Sequence, residues 1–288
     1  MEHFLVFTSR FKDQDQYITN RIVNHLKARD KKVTTVIKEA DWKSVEGEES
    51  EEAKRIPQDV DCMIVVGGDG TVLQAARETK KLHIPIIGVN LGTLGYMTEI
   101  EPVNLEASLD KLINGQYQKE SRMMLNGKVF LCDGSFKEGW ALNDIVISKS
   151  GSFQMISFNI YVNGQFLHDY KADGIIITTP TGSTGYNLSA GGPIIEPKAK
   201  LITLTPICPH SLNQRSIILS PEDVIEVVIP SIRNNQEQTV EANFDGTHRI
   251  PLVSGERIRV AQSDKTTEFL QINQVSFLEM LGRKMKEI

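Results

Sequence analysis

The sequence has little of what marks a secreted, metal-holding, membrane-bound or nucleic-acid-binding protein. Its 288 residues include only three cysteines, Cys62, Cys132 and Cys208, an odd number set far apart with no Cys-x-x-Cys pair. That pattern fits thiols in a reducing compartment better than a disulfide framework. The six histidines show no metal-ligand spacing, so no metal site of the protein's own is expected. Acidic residues outnumber basic ones, 37 to 32, for a formal net charge of −5. A nucleic-acid footprint needs the opposite excess, so any affinity for polyanions must be local. No apolar run approaches the roughly 20 residues that span a bilayer, and nothing in the first thirty residues resembles a signal peptide. The expectation is a cytoplasmic protein with neither nucleic acid nor membrane as a partner.

What is present falls into two patterns. Up to about Arg122, buried-strand runs alternate with helical spacing: Phe4 to Phe7, a helix over Asp13 to Ala28, Val33 to Ile37, Cys62 to Val66, a helix over Val72 to Thr79, Ile84 to Val89, and a helix over Leu105 to Ile113. This alternation predicts an α/β domain over 1–122 with a parallel, helix-covered sheet. The acidic stretch from Asp41 to Asp59 reads as a solvated loop or lid. Beyond Arg122 the runs are short, rich in Ile, Val and Phe, and bounded by Gly, Asn, Asp or Pro, which predicts a β-rich domain over 123–274. Asn163-Gly164 marks a two-residue hairpin between Phe158 to Val162 and Gln165 to Leu167. Further extended runs are Gly174 to Thr178, Leu201 to Pro206, Val224 to Ile229, Arg257 to Ala261 and Thr267 to Ile272. In 275–288 the stripe Phe277, Met280, Leu281 and Met285 predicts a helix that returns to the first domain.

The sharpest local signal is Gly67-Gly68-Asp69-Gly70-Thr71, directly after a buried strand and before a helix. Glycines let diphosphate oxygens reach main-chain N–H groups beside a helix N-terminus. The loop is neither a P-loop, since no Gly-Lys-Ser/Thr follows, nor the GxGxxG fingerprint. It adds Asp69, a carboxylate that can take a proton from a substrate hydroxyl or help hold a divalent ion. The alternative is a tight turn with Asp69 or Thr71 as N-cap. The next strand-end loop, Asn90 to Tyr96, spends glycines in the same way, as a site with Tyr96 stacking on a ring or as a plain turn. Asn143-Asp144 interrupts an apolar run, as partners for a ribose or as a bulge or bend. Asp173 to Pro193 runs from an Ile-rich strand into a loop rich in hydroxyls and glycines, suited to a nucleoside or phosphate. Asp245-Gly246 is the weakest candidate for a substrate contact, because Asp-Gly between strands is usually a hairpin turn.

In order and spacing, GGDGT, Asn143-Asp144 and Pro180-Thr-Gly-Ser-Thr-Gly-Tyr186 resemble the motifs of the NAD kinase family over nearly the whole chain. The resemblance implies an N-terminal α/β domain, an all-β, β-sandwich-like C-terminal domain, a site between them, and a homodimer or homotetramer. It also implies ATP-dependent phosphorylation of the 2′-hydroxyl of the adenosine ribose of NAD. Asp69 then corresponds to the family's base, and Gly67, Gly68, Gly70 and Thr71 to its phosphate loop. Asn143 and Asp144 fall on an Asn-Glu pair that contacts the nucleoside and ribose. Asp173 matches the aspartate at the nicotinamide end, and Thr184, Tyr186 and Ser189 lie in the segment around NAD, partly from a neighbouring subunit. Three positions depart from the pattern: Asp144 stands for Glu, Gly185 for Ala and Lys171 for Arg.

A divalent cation, Mg²⁺, carried by the nucleotide rather than held by protein ligands, completes the expected chemistry. Polyphosphate is a second possible donor. Two other readings share features of the sequence: a lipid kinase of the diacylglycerol or sphingosine type, which has the same glycine loop, and a non-catalytic NAD(P) sensor, which would not need Asp69.

Overall fold

A computed structural model describes the chain apart from residues 39–55, 80–81, 93–94, 152–154, 212–213, 232–236, 274 and 287–288. Most of the acidic stretch therefore lies outside the described residues. The chain divides into two compact units, Met1–Arg122 with Thr267–Ile288, and Met123–Thr266.

The first unit is built on parallel strands β1 (His3–Ser9), β2 (Lys32–Lys38), β3 (Cys62–Val66) and β4 (Ile86–Val89), in the order β2-β1-β3-β4. Its inner strands, β1 and β3, are buried along their whole length, as strands covered on both faces must be. Helix α1 (Tyr17–Lys27) buries Ile18, Ile22 and Leu26, one residue per turn on one face. It starts later than the spacing predicts because the Asp13 carboxylate accepts N–H bonds from Ile18 and Thr19, at 3.3 and 2.8 Å, and so occupies the turn before the helix. Helices α2 (Asp69–Glu78) and α3 (Leu105–Ile113) complete the layer, with Arg21 of α1 forked onto Glu106 of α3. The strand order reverses between β1 and β3, and the glycine loop leaves the carboxyl end of β3 at that reversal, where open α/β sheets collect ligands.

The second unit contains a six-stranded antiparallel sheet, with β7 (Asp144–Lys149), β10 (Gly174–Thr178), β11 (Ile202–Ile207), β12 (Ile217–Leu219), β14 (Thr239–Phe244) and β15 (His248–Val253) in the order β12-β11-β10-β7-β14-β15. Facing it are β8 (Ile156–Val162), β9 (Gln165–Ala172), β13 (Ile225–Val228) and parts of β5 (Gln118–Phe130) and β16 (Arg257–Gln271), with β6 (Phe136–Ala141) paired to β5. One core joins Phe158, Ile160 and Val227 of one layer to Ile145, Ile175 and Phe244 of the other, which makes the unit a sandwich. The β8–β9 turn has Asn163 at φ 53° and Gly164 at φ 79°, as a type I′ hairpin requires.

Two elements differ from the sequence reading. Arg257 to Ala261 and Thr267 to Ile272 are one strand, β16, because the polar residues between them keep extended pairing with alternating burial. The terminal helix α4 (Phe277–Lys286) belongs to the first unit, where the Phe277 ring lies 6.3 Å from that of Tyr96. None of its residues is fully buried, and Met285 of the expected apolar stripe is 66% exposed.

Phe158 is fully enclosed in the sandwich core. Phe158→Ala is expected to lower unfolding free energy by about 3–5 kcal/mol, read from urea midpoints. A loss under about 1 kcal/mol would show that the ring does not bridge the two layers.

Candidate functional site

In the first unit the glycine loop is already part of helix α2, which begins at Asp69 rather than at Val72. Gly68 is the capping residue and no side chain caps the helix, so neither Asp69 nor Thr71 is the N-cap. Gly67 is required by packing, since a Cβ there would lie 2.4 Å from Thr71 Oγ1. Gly68 and Gly70 are different: a Cβ on either meets no described atom within 4 Å. The chain itself has no steric need for them, and the space they leave lies at the positive end of a helix dipole.

The Asp69 carboxylate turns back onto the loop after β4. It accepts the N–H of Tyr96 at 2.8 Å and of Met97 at 2.9 Å. Gly95 makes this possible, because a Cβ there would sit 2.0 Å from Asp69 Oδ1. A carboxylate offers about four lone-pair sites, so two N–H bonds anchor Asp69 without using up its capacity to accept a proton. Tyr96 does not present a free ring: one face leans on Phe277, and its phenol is pushed up from the ordinary range by burial and then by the Asp69 charge.

Sequence reasoning missed Arg122. It lines a cavity of about 270 Å³ together with Tyr96, Met97, Phe269, Gln271 and Arg283. It is 6% exposed and bonded through Nε–H to Glu120, itself 8% exposed. Burial pulls its guanidinium below the usual range, while Glu120 and Asp69 act in the opposite direction. The alternation Glu120-x-Arg122 on one face of a strand was the available signal, but it lies at the seam of the two sequence patterns, where charges read as solvated.

In the second unit, Asn143-Asp144 does not interrupt a strand. Leu142 and Asn143 form a bend between β6 and β7, and Asp144 opens β7. The bend is held by Asp245, whose carboxylate accepts the N–H groups of Leu142, Asn143 and Asp144 at 2.7, 2.8 and 3.1 Å. Asp245 is thus more than a hairpin residue, although at φ 50° it also turns the chain between β14 and β15. With the backbone so fixed, one polar group on each side chain finds no partner among the described residues. Asn143 Oδ1 is buried without a hydrogen bond. Asp144 is 6% exposed, its carboxyl has no hydrogen bond or cation among the described residues, and burial followed by repulsion from Asp245 pushes it up to about 7. Buried polar groups are rarely left this way unless a ligand or water completes them.

The loop after β10 is locked beside this bend. Thr179 donates N–H to Asn143 O at 2.8 Å, and a Cβ on Gly182 would lie 2.4 Å from that same oxygen. Buried Asn187 ties the loop together through Ser183 O, Pro193 O and Thr205 Oγ1, a role its neighbours Tyr186 and Ser189, both exposed, do not share. Half-buried Thr184 and Gly185 directly precede Tyr186. At Gly185 an added Cβ would lie 3.3 Å from Gly182 O and 3.6 Å from Asn143 Nδ2, so the family's Ala fits with a shift of a few tenths of an ångström.

Not every expected residue joins this cluster. Asp144 pairs with Thr178 at one end of β10, whereas Asp173 precedes Gly174 at the other end, where it bonds Lys149 Nζ at 2.7 Å. Lys171 is exposed there, and its carbonyl accepts the His210 N–H. Five residues at about 3.4 Å each put roughly 17 Å between the two ends, so one chain alone does not bring Asp173 and Lys171 to Asn143.

Comparison with known proteins identifies both halves. Residues 8–117 match the profile of the ATP-NAD kinase N-terminal domain, and 142–272 that of the ATP-NAD kinase C-terminal domain. An NAD kinase of Lachnospira eligens is 41% identical, with 99% of this chain and all of the relative aligned; one of Agathobacter rectalis is 42% identical over 99% of each. Among solved structures, an Archaeoglobus fulgidus NAD kinase in complex with ATP is 26% identical with TM-score 0.77 over the full length of both chains. A yeast NADH kinase complexed with NADH, 24% identical, shares the fold with TM-score 0.84 over 99% of this chain and 88% of that one.

The unpartnered Asp144 carboxyl carries a pH signature. Its folded value near 7 lies above the ordinary value of 3.8, so between these limits the native state holds a proton that the unfolded state has lost. Stability therefore falls as pH rises through about 4 to 7, and levels off above. Asp144→Asn removes the titration, so the melting temperature of the variant should gain on that of the native protein across this window. Parallel curves from pH 4 to 8.5 would mean that the carboxyl is not held neutral.

Proposed function

The chain belongs to the NAD kinase family and is a kinase acting on NAD with ATP; from that premise we propose that Asp69 is the base that frees the 2′-hydroxyl of the adenosine ribose for attack on the γ-phosphorus. The observation that carries this reading is the Asp69 carboxylate anchored by two main-chain N–H groups, with lone pairs left over, beside two glycines that the chain's own packing does not require. As the hydroxyl proton passes to Asp69, its oxygen bonds to the γ-phosphorus and the bond to the β-phosphate oxygen breaks, giving NADP and ADP. Such a transfer needs positioning and neutralisation of charge more than covalent chemistry. The N–H groups around Gly68, Gly70 and Thr71, with the helix dipole behind them, supply part of it.

No group of three or more His, Cys, Asp or Glu side chains converges among the described residues. The divalent cation would be carried by the nucleotide, where it would neutralise charge on the triphosphate. The buried Asp144 carboxyl and the Oδ1 of half-buried Asn143, neither with a hydrogen bond among the described residues, suit the nucleoside and its ribose hydroxyls. Asp245 supports them by fixing their backbone. Asp173 and Lys171 are assigned to the nicotinamide end, with Thr184, Gly185, Tyr186 and Ser189 around the dinucleotide. Because Asp173 and Asn143 stand at opposite ends of β10, a second copy supplying one set is part of this proposal, in a homodimer or homotetramer. The three free cysteines and the lack, among the described residues, of any helix long and apolar enough to cross a membrane fit the cytoplasm as its compartment. A lipid kinase is not favoured, because both domain profiles are those of NAD kinases.

Purified protein with NAD, ATP and Mg²⁺ should form NADP, followed through an NADP-specific dehydrogenase, and EDTA should stop the reaction. Asp69→Ala should lower kcat by about 10²–10⁴ with unchanged circular dichroism, the usual cost of a lost base. A folded variant with native kcat would remove Asp69 from the mechanism. Gly95→Ala, which drives a methyl into the same carboxylate, should also lose most of its kcat. Native turnover there would show that the N–H anchor is dispensable.

A further inference from the structure

The terminal helix adds little to the core, yet it rests on the loop that anchors the proposed base. None of its residues is fully buried. Its half-buried positions, Phe277, Met280, Leu281 and Lys284, recur at helical spacing and so form one face. Tyr96 lies against that face. The Phe277 ring is 6.3 Å from the Tyr96 ring at a tilt of 42°, and Lys284 Nζ stands 6.0 Å from the centre of the same ring. Both distances are within reach of aromatic and cation–π attraction. The root of the helix is tied to the same loop a second time, because the Glu99 carboxylate, two residues beyond Met97, accepts the N–H groups of Ile272 and Asn273.

Asp69 holds the same two residues by their main chain: Tyr96 N–H donates to Oδ2 at 2.8 Å and Met97 N–H to Oδ1 at 2.9 Å. Gly95 before them has no side chain to pack, which leaves the Tyr96 and Met97 side chains to fix the course of the main chain. Met280 of α4 lines the same cavity as both. We propose that Phe277 is a positioning residue for phosphoryl transfer: its ring, with Lys284 beside it, holds Tyr96 so that the two N–H groups stay on the Asp69 carboxylate. The inference rests on Asp69 as the base. A group that takes a proton in the transition state must be held in its productive geometry by neighbours that are themselves held. Tyr96 is only half-buried, so without Phe277 its ring would be free to turn towards solvent and the loop would lose its outer support. A helix with no fully buried residue can be released without unfolding the sheet behind it. Phe277 therefore acts on turnover far more than on stability.

Full-length Phe277→Ala should lower kcat by about ten- to a hundredfold, because a misplacement of about 1 Å at a reacting group costs up to about 10². Its melting temperature should fall by no more than about 4 °C, the scale of one aromatic contact in a unit of this size. KM for NAD and for ATP should stay within about twofold, because an interaction made through the base belongs to the transition state and not to binding. Phe277→Tyr, which keeps the ring, should recover most of the native kcat. A native kcat in Phe277→Ala overturns the proposal, as does a loss confined to KM, a variant that does not fold, or no rescue by Phe277→Tyr. In Asp69→Ala there is no base left for Phe277 to position, so adding Phe277→Ala should cost the residual turnover less than about twofold. If it costs the residual rate as much as the native one, Phe277 acts elsewhere and the inference falls while Asp69 stands. If Asp69→Ala alone keeps the native kcat, the base assignment falls and the inference with it.

Discussion

The two bonds from the N–H groups of Tyr96 and Met97 to Asp69 join the turn after β3 to the turn after β4, and the first unit's candidate chemistry depends on that junction. Without it the Asp69 side chain, at the half-buried start of α2, would sample several rotamers, and the loop that lines the Arg122 cavity would lose its fixed course. Hydrogen bonds to a charged acceptor contribute about 1.5–3 kcal/mol each, enough to hold one geometry against side-chain entropy. The constraint has a steric counterpart in Gly95, where even a methyl group has no room.

The second unit solves a similar problem by dividing the work between two carboxylates. Asp245 does the anchoring, with three main-chain N–H groups on one side chain, and the Asp144 carboxyl is left buried with no hydrogen bond among the described residues. In the first unit one aspartate anchors the loop and is also the proposed base. Asp144, where the family more often has glutamate, keeps its carboxyl close to the bend, and Asp245 nearby favours its protonated form. A neutral carboxyl can donate a hydrogen bond as well as accept one, which suits vicinal hydroxyls.

Much of this was legible in the residues. Strands such as Cys62–Val66 and Gly174–Thr178, and the helix Leu105–Ile113, follow from local apolar pattern alone, because burial on a regular period is a property of contiguous sequence. The glycine loop and the Asn143-Asp144 pair were visible for the same reason. What could not be seen was set by partners distant in sequence: Asp245 gripping a bend about a hundred residues earlier, Glu120 held by Gln271, and Asp173 falling at the far end of the strand that leads to Thr184. The break at Leu142 was hidden because an apolar run looks the same whether or not the chain turns within it. Asn187 looked like one more polar loop residue, yet it is completely buried and its bonds shape the loop.

The chain enters the second unit once and returns from it once, along β5 and β16, and the returning strand brings Leu270 and Ile272 into the core built on β1 and β3. Topologically the β sandwich is an insertion within the α/β unit. Domains fold as units during synthesis, N-terminal first where they can. Here the first unit cannot complete its core before the second has been made, because Leu270 and Ile272 follow the whole of the sandwich in sequence. A product cut before Thr267 would keep every residue of the sandwich unit but leave the α/β core without Leu270 and Ile272, a ready substrate for quality control.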